Sequence, residues 1–94
     1  MKKRYYVIFR GQVQGVGFRW VVQQLANRYG CTGWIRNLYS GNVDMEIQGP
    51  SLDIYSFIRE IDNSSRWIRI DDYSCKEIEL KEDERSFKVD YFFG

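Results

Sequence analysis

The chain has 94 residues, 44% hydrophobic and 17% aromatic, with 14 Lys and Arg against 13 Asp and Glu for a net charge of +1. That content excludes a disordered or collagen-like chain, and the length fits one domain, residues 1–94, rather than two. There is no histidine, which removes the commonest general acid/base, the commonest metal ligand and every Ser-His or Cys-His nucleophile.

The first predicted strand runs from Tyr5 to Arg10, with Tyr5, Val7 and Phe9 on one face and Tyr6 and Ile8 on the other. A glycine-rich loop, GQVQGVG, follows it. Val22, Leu25, Ala26 and Tyr29 then recur at i, i+3, i+4, i+7, the apolar face of a helix that Gly30 can end. Thr32 to Asn37 reads as a second strand. Ser40-Gly41 marks a turn, after which Val43, Met45 and Ile47 alternate with Asp44, Glu46 and Gln48 in a half-buried strand. Gly49 and Pro50 should break that strand, and Ser51 should cap the next helix, with Asp53 in its first turn. Ile54, Phe57, Ile58 and Ile61 form that helix's apolar face. Asn63-Ser64-Ser65 is a loop, Trp67 to Ile78 a long strand, and Phe87 to Phe92 a short last one. The order β-α-β-β-α-β plus a terminal strand predicts an α+β, ferredoxin-like sandwich, two helices on one face of a mainly antiparallel sheet.

Charge is unevenly placed. Residues 1–43 carry seven basic groups and no carboxylate, whereas the remainder holds seven basic groups against thirteen acids, a net −6. A half-chain without an acid points to anion handling there. Cys31 and Cys75 are too few for a disulfide framework and lack metal-ligand spacing; they read as reduced thiols, with a single bridge left open. The basic start MKKRYYVIFRG has too short an apolar run for a signal peptide, and no segment reaches the roughly 20 apolar residues that span a bilayer. The expectation is a soluble, cytoplasmic monomer with no membrane partner.

The loop from Gly11 to Arg19 carries the chemistry. Gly15 and Gly17 can take positive φ, so that successive N–H groups turn inward as a nest where a helix begins, with the positive end of its dipole behind them. Arg19 at that helix start can grip two oxygens of a phosphoryl group with its planar fork. The loop lacks the Lys-Ser/Thr ending of a P-loop and the G-x-G-x-x-G spacing, so a nucleotide pocket is not expected.

GQVQGVGFR, followed by GCTGWIRNLYSGNV and QGP, resembles the acylphosphatase family over nearly the whole chain. The resemblance implies hydrolysis of the carboxyl-phosphate bond of a small acyl phosphate, with neither metal nor cofactor, and with inorganic phosphate as product and inhibitor. By similarity, Gln14, Gly15, Val16, Gly17 and Phe18 offer backbone N–H groups to the phosphate, Arg19 is the phosphate-binding arginine, and Asn37 orients the attacking water. Trp20 is large beside the site, and Tyr39-Ser40-Gly41 stands where relatives often carry Pro-Asp-Gly; both bear on substrate preference.

This chemistry tolerates an empty histidine count. The leaving carboxylate has a conjugate acid of pKa about 4–5, judged from side-chain carboxyls, and so needs no proton. A loose, metaphosphate-like transition state asks little deprotonation of the water. Fixed donors and one aligned water are what remains. Arg36 reads as a solvated or partner-facing charge, Trp34 and Trp67 as packing, and the Lys81–Arg85 run KEDER as an exposed loop. Two alternatives stand beside the enzyme. GVGFRWVV superficially resembles the aromatic segment of an RNA-recognition motif, but it follows the first strand instead of forming the third, so no nucleic-acid partner is expected. An anion-sensing domain that retains Arg19 and Asn37 for binding is the other.

Overall fold

The computed structural model describes residues 1–94. In chain order its elements are β1 (Lys2–Gln12), α1 (Phe18–Arg28), β2 (Thr32–Asn37), β3 (Val43–Pro50), α2 (Ile54–Asp62), β4 (Arg69–Ile78) and β5 (Phe87–Asp90). The five strands form one sheet in the order β4-β1-β3-β2-β5. All neighbours are antiparallel except β2 and β5, which run parallel. This is the ferredoxin-like α+β plan that the alternating periods predicted.

Both helices turn their apolar stripes to the same sheet face. Phe18, Val22, Leu25 and Ala26 of α1 and Ile54, Phe57, Ile58 and Ile61 of α2 join Val7, Phe9, Ile35, Met45 and Ile47 of the strands in one core cluster. The edge of Phe18 meets the ring of Phe9 at 5.1 Å between centroids, which pins the start of α1 to β1.

Several boundaries differ from the sequence reading. Gly49 and Pro50 do not break β3, because β1 begins at Lys2 and pairs with both, Lys3 opposite Gly49 and Lys2 opposite Pro50. Proline is tolerated there as the strand's last residue, where its missing N–H forfeits little. Ser51 is not the cap of α2. It lies in a turn at φ 52, and Asp53 caps instead, its carboxylate accepting from the Ser56 N–H at 3.2 Å and from the Ser56 hydroxyl at 2.9 Å. Trp67 precedes β4 and is 59% exposed, so it is not a packing residue. β5 stops at Asp90, whose carboxylate accepts the Phe92 N–H and turns the chain.

The outer sheet face holds polar groups that alternation alone did not place. β3 is covered on both faces, not half-buried. Arg4 is 1% exposed, its guanidinium donating to Glu46, Gln48 and, with two nitrogens, Glu84. Glu84 belongs to the KEDER run, so that loop is strapped to the sheet instead of hanging free; Gln48 adds two bonds to the Lys81 backbone. Burial pushes the Glu84 carboxyl up, but the Arg4 hydrogen bonds and charge outweigh it and hold the group below its ordinary range. Arg36 is likewise not a free charge. It pairs with buried Asp44 at 2.9 Å and lies over the Trp34 ring at 5.1 Å. Asp44 also accepts from the Tyr6 hydroxyl, and burial together with that bond pushes the phenol up to about 12. Cys31 and Cys75 are both free thiols, raised by burial.

Candidate active site

A cleft of about 180 Å³ opens where the β1–α1 loop faces the end of β2. Its floor is apolar, formed by Val13 and Phe18, each 1% exposed. Gly15 and Gly17 line one wall with φ of 72 and 77, and Gly17 stands as the N-cap of α1 without any side-chain cap bond. A Cβ at either glycine would meet nothing within 4 Å, so backbone conformation and not space requires glycine there.

This loop leaves its donors unspent. The first helical bond of α1 is from the Val21 N–H to Gly17 O at 3.0 Å, and no backbone N–H from Gln14 to Trp20 donates to a backbone acceptor. These groups lie at the N-terminal end of an 11-residue helix, where the dipole is positive. Uncapped donors of this kind gain most from an anion.

Arg19 lies in the first turn of α1, half-buried, and is the cleft's one charged lining residue. No ion pair engages it, in contrast to Arg4, Arg10, Arg28, Arg36 and Arg69. Its contacts are a long bond from Nη1 to the Asp90 carbonyl at 3.4 Å and the Tyr91 ring, 5.2 Å from Cζ. The cation is oriented but not neutralised, and its remaining N–H donors are available to a ligand.

Asn37, the last residue of β2, lines the same cleft. It is 7% exposed, and its Oδ1 is the one buried side-chain polar atom without a hydrogen-bond partner. A buried acceptor left unpaired costs on the order of 1–3 kcal/mol, and this oxygen has its hydrogen-bonding capacity unused. The backbone of Asn37 is held independently of its side chain. Its carbonyl accepts from the Gly94 N–H at 3.1 Å, and the Leu38 N–H closes the following turn onto Asn42 O at 2.8 Å.

The structure thus brings Gly15, Gly17, Phe18, Arg19 and Asn37 to one cleft. Gln14 and Val16 do not line it. The Gln14 side chain donates to the carbonyls of Leu38 and Asn42 at 2.8 and 2.7 Å, which ties the loop to the turn after Asn37. Val16 packs against the core. Sequence reasoning missed Gln23, Val89 and Tyr91. Gln23 falls one helical turn after Arg19, a legible signal, and its side chain bonds the Phe87 carbonyl. Val89 and Tyr91 arrive through the parallel pairing of β5, which no local pattern announces. No group of three or more Cys, Asp or Glu side chains is gathered as a metal site.

Comparison with known proteins follows the same lines. The sequence model of the family described as acylphosphatase matches residues 5–89. An acylphosphatase of Clostridium acetobutylicum is 37% identical over 91 residues, covering 97% of this chain and 100% of the relative. The crystal structure of the acylphosphatase from Bacillus subtilis has a TM-score of 0.84 at 34% identity, covering 97% of this chain and 100% of that one. Full-length HypF in its phosphate- and nucleotide-bound form contains a similar segment, with a TM-score of 0.81 and 34% identity; it covers 95% of this chain and 12% of that one.

Proposed function

Because the chain belongs to the acylphosphatase family, we propose that its cleft hydrolyses a small acyl phosphate to a carboxylate and inorganic phosphate, without a metal ion. The N–H groups of Gly15, Gly17 and Phe18 and the guanidinium of Arg19 receive the phosphoryl oxygens. Oδ1 of Asn37 accepts a hydrogen bond from the attacking water and holds its lone pair toward phosphorus, and both water protons stay with the phosphate formed. As the water oxygen bonds to phosphorus, the bridging P–O bond breaks and its electron pair leaves on the carboxylate. The product phosphate carries the proton burden, since the carboxylate is stable unprotonated at neutral pH.

The observation that carries this reading is the unpaired, buried Oδ1 of Asn37 in the same cleft as an arginine that no carboxylate neutralises. Each alone has an ordinary explanation; together they form an acceptor for water beside a receptor for an anion. Fixed donors in a site that excludes bulk water stabilise developing charge without reorganising, and such preorganisation commonly contributes more to catalysis than any other effect. Inorganic phosphate should compete for the same donors and inhibit.

The test is hydrolysis of benzoyl phosphate followed by ultraviolet absorbance in EDTA, for the wild type beside Arg19→Ala. Turnover should persist in the chelator and fall by about 10³-fold or more in the variant, the range seen when an arginine that meets transferring phosphoryl charge is removed. No turnover by a folded wild type would overturn the enzymatic reading, and an active Arg19→Ala would remove Arg19 from it.

A further inference from the structure

The mouth of the cleft is aromatic for a reason the fold does not supply. Trp20 and Tyr91 both line it, yet they are 64% and 75% exposed. α1 buries Phe18, Val22, Leu25 and Ala26, and Trp20 lies off that stripe, with no aromatic partner and no hydrogen bond to its indole. Tyr91 follows β5 and touches Arg19 with its ring face. Large apolar surface left in water gains nothing for the folded chain, whereas two aromatic rings at the rim of one small cleft gain when a ligand covers them.

We infer that Trp20 and Tyr91 form the acyl subsite, and that they select acyl phosphates with a planar, apolar acyl group, such as an aromatic carboxylate, over acetyl phosphate. The inference rests on the phosphoryl reading above. Arg19 and Trp20 line the same cleft of about 180 Å³, so the acyl group of a substrate whose phosphoryl end is held by Arg19 lies within reach of the Trp20 indole. Tyr91, stacked on the same guanidinium, flanks it from β5, and half-buried Val89 completes an apolar wall. Arg19 is the only charge in the lining, so an acyl group bearing a carboxylate or a second phosphate meets no counter-ion once the phosphoryl end is engaged. Such substrates are disfavoured by desolvation of the extra charge. Exposed Trp20 and Tyr91 therefore determine specificity while leaving the phosphoryl chemistry to the loop.

The experiment is calorimetry of three ligands that need no turnover: inorganic phosphate, acetylphosphonate and benzoylphosphonate. Each is titrated into the wild type, Trp20→Ala, Trp20→Phe and Tyr91→Ala. The wild type should bind benzoylphosphonate about tenfold more tightly than acetylphosphonate, equivalent to about 1.4 kcal/mol. That ratio should fall to about twofold or less in Trp20→Ala, fall partway in Tyr91→Ala, and survive largely in Trp20→Phe, since one ring replaces another. A structural role for Trp20 would weaken both phosphonates equally and leave the ratio alone. A ratio near unity in the wild type, or one unchanged in Trp20→Ala, overturns the subsite. Phosphate that binds the wild type while the two phosphonates bind equally overturns the subsite alone; phosphate that does not bind at all overturns the phosphoryl reading as well.

Discussion

Replacing Asn37 by alanine separates a working side chain from a turn residue. The side chain is 7% exposed and its Oδ1 has no protein donor. Removing an unpaired buried acceptor returns about 1–3 kcal/mol of desolvation cost. Against this stands a small cavity and lost packing, of the order of 1–2 kcal/mol by analogy with the loss of one or two methylenes. The two nearly cancel. The backbone bonds that hold β2 and its turn, from Gly94 N–H to Asn37 O and from Leu38 N–H to Asn42 O, are made without the side chain and survive the substitution. Stability should therefore stay within about 1 kcal/mol, a shift in Tm of no more than about 8 °C for a chain of this size. Catalysis should not be spared, because a water left to find its own position or a lost preorganised partner costs about 10²- to 10³-fold in kcat. The inhibition constant of phosphate should move less than about threefold, since the loop and Arg19 still receive the anion. Thermal unfolding, kcat and phosphate inhibition measured on one preparation decide the matter. A Tm lowered by more than about 15 °C would make Asn37 a structural turn residue. A kcat above a tenth of wild type, or weakened phosphate inhibition with kcat preserved, would refute its role toward water.

The remaining predictions use the same assays. Arg19→Lys should keep its stability, since Arg19 makes only one long bond and one ring contact, yet lose at least about 10²-fold in kcat/KM because a lysine cannot reproduce the fork; near-normal turnover would sink the two-oxygen grip. Gly15→Ala should lower stability by about 1–2 kcal/mol through the positive φ alone, as no atom lies within 4 Å of the new methyl, and should lose activity as the loop N–H groups turn away; full activity would show that the nest is not used. Glu84, held below its ordinary pKa by Arg4, contributes stability that is present above its unfolded value of about 4.3 and lost as pH falls through the lower folded one. Glu84→Gln should consequently unfold at lower temperature than wild type at pH 7, with the gap closing below about pH 4; a gap that is constant from pH 7 to pH 2 would contradict the strap's electrostatic origin.

Much of this molecule is written in local spacing. The stripes of Val22, Leu25 and Ala26 and of Ile54, Phe57, Ile58 and Ile61 set both helices and the faces they bury, because side-chain direction follows from helical geometry alone; Tyr29, expected at i+7 of the first stripe, is instead the exposed C-cap of α1. The alternation of Val7 with Phe9 and of Val43, Met45 and Ile47 did the same for the strands facing the core. The grouping of Gly15, Gly17 and Arg19 in one cleft is legible for a similar reason, since near neighbours at one strand-to-helix turn stay together in any fold.

What pairs across the sheet was not legible. Gln14 reads as one more loop donor, and only the fold shows its amide tying the loop to Leu38 and Asn42. Arg4 carries no individual signal in the basic start and proves to be buried against Glu46 and Glu84, the latter 80 positions away. Arg36 reads as a free charge and is spent on Asp44. A polar side chain's exposure depends on which partner satisfies it, and that partner is chosen by strand order and register, which are properties of the whole chain. The cleft itself follows the same division. Residue order was enough to place a glycine-rich turn with Arg19 at the start of the helix that follows it. That Asn37 keeps an unpaired oxygen in the same cleft as Arg19, and that Tyr91 joins its lining, came only with folding, because antiparallel β2–β3 pairing and the parallel seat of β5 bring these distant residues together.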